Sequence, residues 1–155
     1  MAQCAPEKIR INHDDYHAEF VGRTADGRQF FLTNPFVPPL SDNPGREFLA
    51  LYIFDADGNL LEARIDDLGV RRDKISPPGQ KLDLDFASSL LRNRLAKLGT
   101  VSFCDIKIVP FGIEKFGVEF GLIKDVPEET NEFWFTVEPG NYMAFYPPYD
   151  GEYYT

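Results

Sequence analysis

The densest group of polar functional side chains is His13-Asp14-Asp15-Tyr16-His17, which also holds both histidines of the 155-residue chain. Imidazoles four residues apart share one face of a helix and, with a carboxylate, could hold a divalent metal. The segment runs into a strand pattern, however, and at the rise of a strand the two histidines would stand about 13 Å apart, too far for one ion. No third strong donor follows, so the reading favoured is a solvated approach to a strand, and no metal or cofactor is expected. Asp55-Ala56-Asp57-Gly58-Asn59 has acids at alternating positions before a glycine, as calcium loops do. Its sixth place is Leu60 and strand patterns flank it, so a hairpin turn accounts for it.

Arg94 is a sharper signal. On a helix turning 100° per residue it stands at about 80°, inside the apolar stripe of Phe86, Leu90, Leu91, Leu95 and Leu98. A guanidinium there needs a partner, and two readings stay open: an ion pair with one of the chain's many carboxylates, or a pocket that takes an acidic group. The last signal is the C-terminal region, where Tyr142, Tyr146, Tyr149, Tyr153 and Tyr154 alternate with Phe145, Pro147-Pro148, Asp150 and Glu152. Rigid amphipathic rings beside carboxylates suit a protein-binding surface. Arg94, Tyr142, Tyr146, Tyr149, Asp150, Glu152 and Tyr153 are therefore the candidate binding residues; the competing reading packs the tyrosines back on the body.

Charge narrows the partners. With 25 acidic and 16 basic residues the formal net charge is −9, which opposes binding to phosphate backbones, so no nucleic-acid partner is expected. Residues 125–155 hold seven acids and no Lys or Arg, which favours a basic protein partner, unless the acidity only serves solubility. Phosphate-loop, dinucleotide, serine-hydrolase and zinc-protease motifs are absent. The first residues lack the apolar core of a secretory signal and no apolar run reaches the ~20 residues of a membrane span, so a cytoplasmic protein with no membrane role is expected. Cys4 and Cys104 are expected as free thiols.

The elements that must position these groups read as strands. Tyr16 to Phe20 and Phe30 to Leu32 flank an Asp26-Gly27 turn, and Glu47 to Phe54 and Leu60 to Ile65 flank Asp57-Gly58. The run from Phe48 to Phe54 is apolar at every position, as in a central strand covered on both faces. Pro-rich joints at 34–45 and 76–79 exclude helix and central strand. One helix, from about Phe86 to Leu98, starts after Asp83 and Asp85 and stops at Gly99. Val101 to Val109 reads as a strand with a bulge near Cys104-Asp105. Lys115 to Leu122 reads as one strand whose glycines allow close approach, and Phe133 to Val137 and Tyr142 to Tyr146 as two more. The sum is an α+β domain over 1–155: a mainly antiparallel sheet of about eight strands, one amphipathic helix on a face, and mobile ends at 1–8 and 147–155.

Phe116-Gly117-Val118-Glu119-Phe120-Gly121-Leu122-Ile123 followed by Glu138-Pro139-Gly140-Asn141-Tyr142-Met143-Ala144-Phe145-Tyr146-Pro147-Pro148 resembles the C-terminal half of small bacterial single-domain proteins of unassigned function. The resemblance implies a bacterial cytosolic protein and carries no activity and no catalytic residue. Two functions are expected from the residues themselves. The first is a non-enzymatic acidic interaction domain, a homodimer being compatible with its exposed sheet edges. The second is a small enzyme or ligand-binding protein with a pocket between sheet and helix, where Arg94 holds an acidic ligand and His13 or His17 serves as acid or base.

Overall fold

The computed structural model describes residues 6–40, 42, 44–70, 84–125 and 133–155. The order of elements is β1 (Ile9–Ile11), β2 (Phe20–Thr24), β3 (Gln29–Thr33), β4 (Phe36–Val37), β5 (Arg46–Phe54), β6 (Leu60–Val70) and α1 (Leu84–Lys97). There follow β7 (Val101–Phe103), β8 (Ile106–Ile108), β9 (Phe111–Lys115), β10 (Val118–Asp125), β11 (Trp134–Glu138) and β12 (Ala144–Phe145).

β5 is the spine, for the reason its sequence gives: apolar at every position from Phe48 to Phe54, it can bury both faces there. It pairs antiparallel with β6 on one side, and on the other with β3 over Ala50 to Phe54 and β4 over Arg46 and Glu47. β2 and β7 complete that sheet beyond β3. Leu49, Leu51 and Ile53 point to one face, where Phe30 and Leu32 join them against Leu90, Leu91, Leu95 and Leu98 of the helix region. Phe48, Ala50, Tyr52 and Phe54 point to the other, where the core continues into Phe120, Leu122, Phe135, Val137 and Phe145 of a second sheet, ordered β12-β11-β10-β9. A ribbon of β1 and β8 closes this core with Ile9, Ile11, Ile106 and Ile108. The layers are thus helix, first sheet, second sheet with ribbon. Among the described residues no helix is long and apolar enough to cross a membrane.

The α+β class, the antiparallel pairing and, among the described residues, the single helix agree with expectation; the strand count does not. Among the described residues twelve strands in three sheets replace about eight in one; two of the additions are the short β1 and β4, and local chemistry explains the other differences. Tyr16 to Ala18 is a turn, because Asp14 Oδ1 accepts the backbone N–H of Tyr16 (2.9 Å) and of Ala18 (3.0 Å) and holds the chain in an Asx-type bend until Phe20. The phase change at Cys104-Asp105 marks a change of sheet instead of a bulge, since β7 pairs with β2 and β8 with β1. The run from Lys115 to Leu122 contains a two-residue hairpin turn, with Phe116 and Gly117 both at positive φ (56° and 70°) and Lys115 paired to Val118. Phe86, expected in the helix's apolar stripe, is exposed. Cys104 is a free thiol. Cys4, the 76–79 joint, Asp83 and the acids Glu128, Glu129 and Glu132 lie outside the described residues.

Candidate functional site

The C-terminal tyrosines divide by burial. Tyr142 is only 7% exposed, and its Oη shares a 2.6 Å hydrogen bond with Thr33 Oγ1. Tyr149 donates its hydroxyl to the Phe133 carbonyl. Tyr153 donates to Asp14 Oδ2 at 2.5 Å and accepts the backbone N–H of His17 at 3.1 Å. Burial and the Asp14 bond push the Tyr153 phenol up to about 12. Burial also pushes the Asp14 carboxyl up, but the bonds it accepts from Tyr153, Tyr16 and Ala18 outweigh it and hold the group below its ordinary value. Asp150 and Glu152 sit on the surface at a turn gripped by Asn12, whose Nδ2 donates to Asp150 O (3.2 Å) and to Glu152 Oε1 (3.1 Å). Ala144 and Tyr154 exchange two backbone hydrogen bonds. Three of the four tyrosines proposed for binding are thus tied inward, while Tyr146 stays exposed, as does Tyr154 beside it.

A different surface gathers the features the sequence suggested for the tail. Because Phe135 and Val137 fill the core, the alternation of β11 turns Trp134, Thr136 and Glu138 to the opposite face. A shallow groove of about 420 Å³ lies there, with carboxylates Glu119, Asp125 and Glu138, an apolar floor from Ile123 and one cation, Lys124. The Trp134 indole N–H donates to Asp125 Oδ2 at 3.0 Å. Trp134 and Tyr146 stand 5.4 Å apart between ring centroids, as do Tyr146 and Tyr154, so three rings form a ladder that meets the groove's lining at Asp125. Glu119 faces Glu114 directly across the β9–β10 pair, an arrangement of like charges that costs sheet stability.

Arg94 and the histidines do not meet. Arg94, with its side chain 14% exposed, lies against Asp66 of β6: Nε donates to Oδ2 (3.2 Å), and Nη2 to Oδ1 (3.1 Å) and Oδ2 (3.0 Å). This forked pairing is the structural one of the two readings, although Arg94 also lines a cavity of about 320 Å³ with Arg28, Arg64 and Lys97. His17 lines a separate cavity of about 260 Å³ near Leu91 of the helix. Burial lowers its pKa, and the nearby Asp14 carboxylate offsets that only in part. His13 is exposed and stacks on Phe103, with centroids 5.9 Å apart, and lines neither cavity. The described residues contain no cluster of three or more His, Cys, Asp or Glu able to hold a metal.

Sequence reading missed Trp134, Glu119, Asp125 and Glu138 as a group. Trp134 is the chain's only tryptophan and sits in an alternating strand, a usable signal, but the acids join it only through strand register. No family model, curated protein or solved structure matches the chain.

Proposed function

We propose that the chain is a non-enzymatic binding domain that takes a basic segment of a protein partner on the outer face of its second sheet. The observation that carries this is the Trp134-Tyr146-Tyr154 ladder, joined to Asp125 by the indole N–H, on a sheet face whose groove also carries the carboxylates of Glu119 and Glu138. Lysine or arginine heads would meet the carboxylates while their methylene stems and neighbouring apolar groups cover the rings. The Glu114/Glu119 juxtaposition supports the same reading, since a departure from stable pairing is expected where function requires it and a bound cation would relieve it. An enzyme built on Arg94 and a histidine is less well supported, because Arg94 is bonded to Asp66 and His17 opens on another cavity.

Trp134 supplies its own reporter. Titration of the full chain with a Lys/Arg-rich peptide library should change the tryptophan emission saturably, less so as salt rises, and a Glu-rich library should not. Glu119→Lys should weaken binding by about tenfold while leaving stability equal or higher, because it removes one of two facing like charges. Unchanged emission with every basic peptide, or equal binding by Glu119→Lys, would overturn the proposal.

A further inference from the structure

The cavity beside Arg94 departs from the charge of the chain around it. Acids outnumber bases by 25 to 16 overall, yet among the described lining residues four are cations, Arg28, Arg64, Arg94 and Lys97, and one is an anion, Glu62. The cations arrive from three elements. Arg64 and Glu62 stand opposite Leu51 and Ile53 in the β5–β6 pairing, and facing residues share a side of the sheet, here the side that the helix covers. Arg94 and Lys97 are neighbours three residues apart in the helix's last turn. Arg28 enters from the other flank of β5, since it leads from the Asp26-Gly27 turn into β3. Leu51, Ile53 and Leu98, all buried, line the space among them.

Carboxylates occupy this cluster only in part. Arg94 gives Nε and Nη2 to Asp66, and its Nη1 lies 3.5 Å from Asn93 Oδ1, so it is a fixed piece of the wall. Arg28 and Arg64 each give only Nε to a carboxylate, Asp26 and Glu62 respectively. Both Nη groups of each guanidinium are therefore left without a partner among the described residues. Lys97 Nζ makes no ion pair or hydrogen bond there either. An anion complements two guanidinium ends and an ammonium. A bare inorganic anion would turn part of its surface to the three leucine and isoleucine side chains and lose hydration there, whereas an organic anion covers them with hydrocarbon. The volume of about 320 Å³ equals roughly eleven waters at about 30 Å³ each, which sets the size of a small molecule. We propose that this cavity binds a small organic anion, a carboxylate or phosphate monoester on a short apolar body, with Lys97 and the Nη groups of Arg28 and Arg64 at the head group and Leu51, Ile53 and Leu98 against the body. This site lies on the first sheet and the helix, so it stands independently of the basic partner proposed for the second sheet.

The test is calorimetric titration of the full chain at low salt with hexanoate and hexyl phosphate, beside hexan-1-ol, hexylammonium and inorganic phosphate. A hexyl anion should bind saturably at one site, the tighter of the two naming the head group, and the three controls should bind at least about tenfold more weakly. Lys97→Gln and Arg64→Gln change exposed positions, so each should keep the parent's melting temperature within about 2 °C. Each should weaken binding of the hexyl anion by about three- to tenfold. Lys124→Gln removes a cation from the second sheet and should bind like the parent. The proposal would be overturned by no saturable binding of either hexyl anion, or by equal binding of hexan-1-ol or inorganic phosphate. Parent affinity in Lys97→Gln or Arg64→Gln, or an equal loss in Lys124→Gln, would overturn it as well.

Discussion

Two buried phenols differ in what their hydroxyls meet. Tyr142 Oη is bonded to Thr33, whereas Tyr52, fully buried among Phe31 and Phe111, finds no partner for its Oη among the described residues. Burial pushes both phenols above their ordinary range. A bonded buried hydroxyl contributes about 1 kcal/mol net, and stranding its partner costs more, while an unbonded one is a desolvation cost. Tyr142→Phe should therefore destabilise the fold by about 1–2 kcal/mol, and Tyr52→Phe should be neutral or stabilise it by up to about 1 kcal/mol. Urea unfolding of the two variants beside the parent chain checks the contrast, and a loss of stability in Tyr52→Phe would show that its hydroxyl has a partner after all. At this scale the sequence was partly legible. Helical geometry alone placed Arg94 in an apolar stripe and required a counter-charge, but naming Asp66 needs the register of β6 against β5. Likewise composition marked the tyrosines, while the burial of Tyr142, Tyr149 and Tyr153 follows from contacts with Thr33, Phe133 and Asp14, two of them more than 100 residues away in sequence.

Among the elements, the β9–β10 hairpin shows why pattern reading succeeds and fails in one stretch. Glycine alternation there signalled close approach, and what approaches Gly121 is its own neighbour strand: a Cβ on Gly121 would lie 2.2 Å from the Phe111 carbonyl oxygen, at a φ of +141°. The hairpin itself was hidden because phenylalanine rarely adopts positive φ, so Phe116-Gly117 does not look like a turn. Phe116 is held there with its ring stacked on Phe48 at 5.8 Å. β5, by contrast, was readable because the apolar run from Phe48 to Phe54 is short, rich in aromatic residues and followed by an Asp-Gly turn, which suits a strand buried on both faces. Gly121→Ala should force β9 and β10 apart and cost about 2 kcal/mol or more, since the clash is with backbone and no rotamer relieves it. Hydrogen exchange should then show lost protection across the Gly112/Gly121 pair with the helix layer unaffected, and unchanged protection there would refute the argument.

For the molecule as a whole, the layering separates two surfaces, an acidic aromatic face on the second sheet and a helix layer on the far side of the first. The chain beyond Tyr146 belongs to the body that supports both. Tyr149 and Tyr153 pack on the main core, Gly151 is buried against Asn12, and Tyr154 pairs with Ala144 at the edge of β12. A Cβ on Gly151 would come within 2.3 Å of Asn12 Oδ1, and the φ of +96° favours glycine there, so a side chain at 151 would be strained and would displace the Asn12 amide that holds the turn. Deleting residues 147–155 removes two half-buried rings, about 1 kcal/mol each, and the two hydrogen bonds that the Tyr149 and Tyr153 hydroxyls donate to the body, about 1 kcal/mol each, while the solvent-accessible bonds of the segment are exchanged for water at little net cost. The deletion should therefore lower unfolding stability by about 3–5 kcal/mol, a large share of the 5–15 kcal/mol typical of a domain. It would also expose the face of Phe145 that meets Tyr153, whose centroids are 6.1 Å apart. Loss of partner binding in such a truncation would then report unfolding instead of recognition, whereas Tyr154→Ser removes an exposed ring and should leave the melting temperature within about 2 °C of the parent. Side-by-side thermal and urea unfolding of the two variants decides the matter: a truncated chain that unfolds with the parent's midpoint and cooperativity would show that the C-terminal segment is a detachable tail.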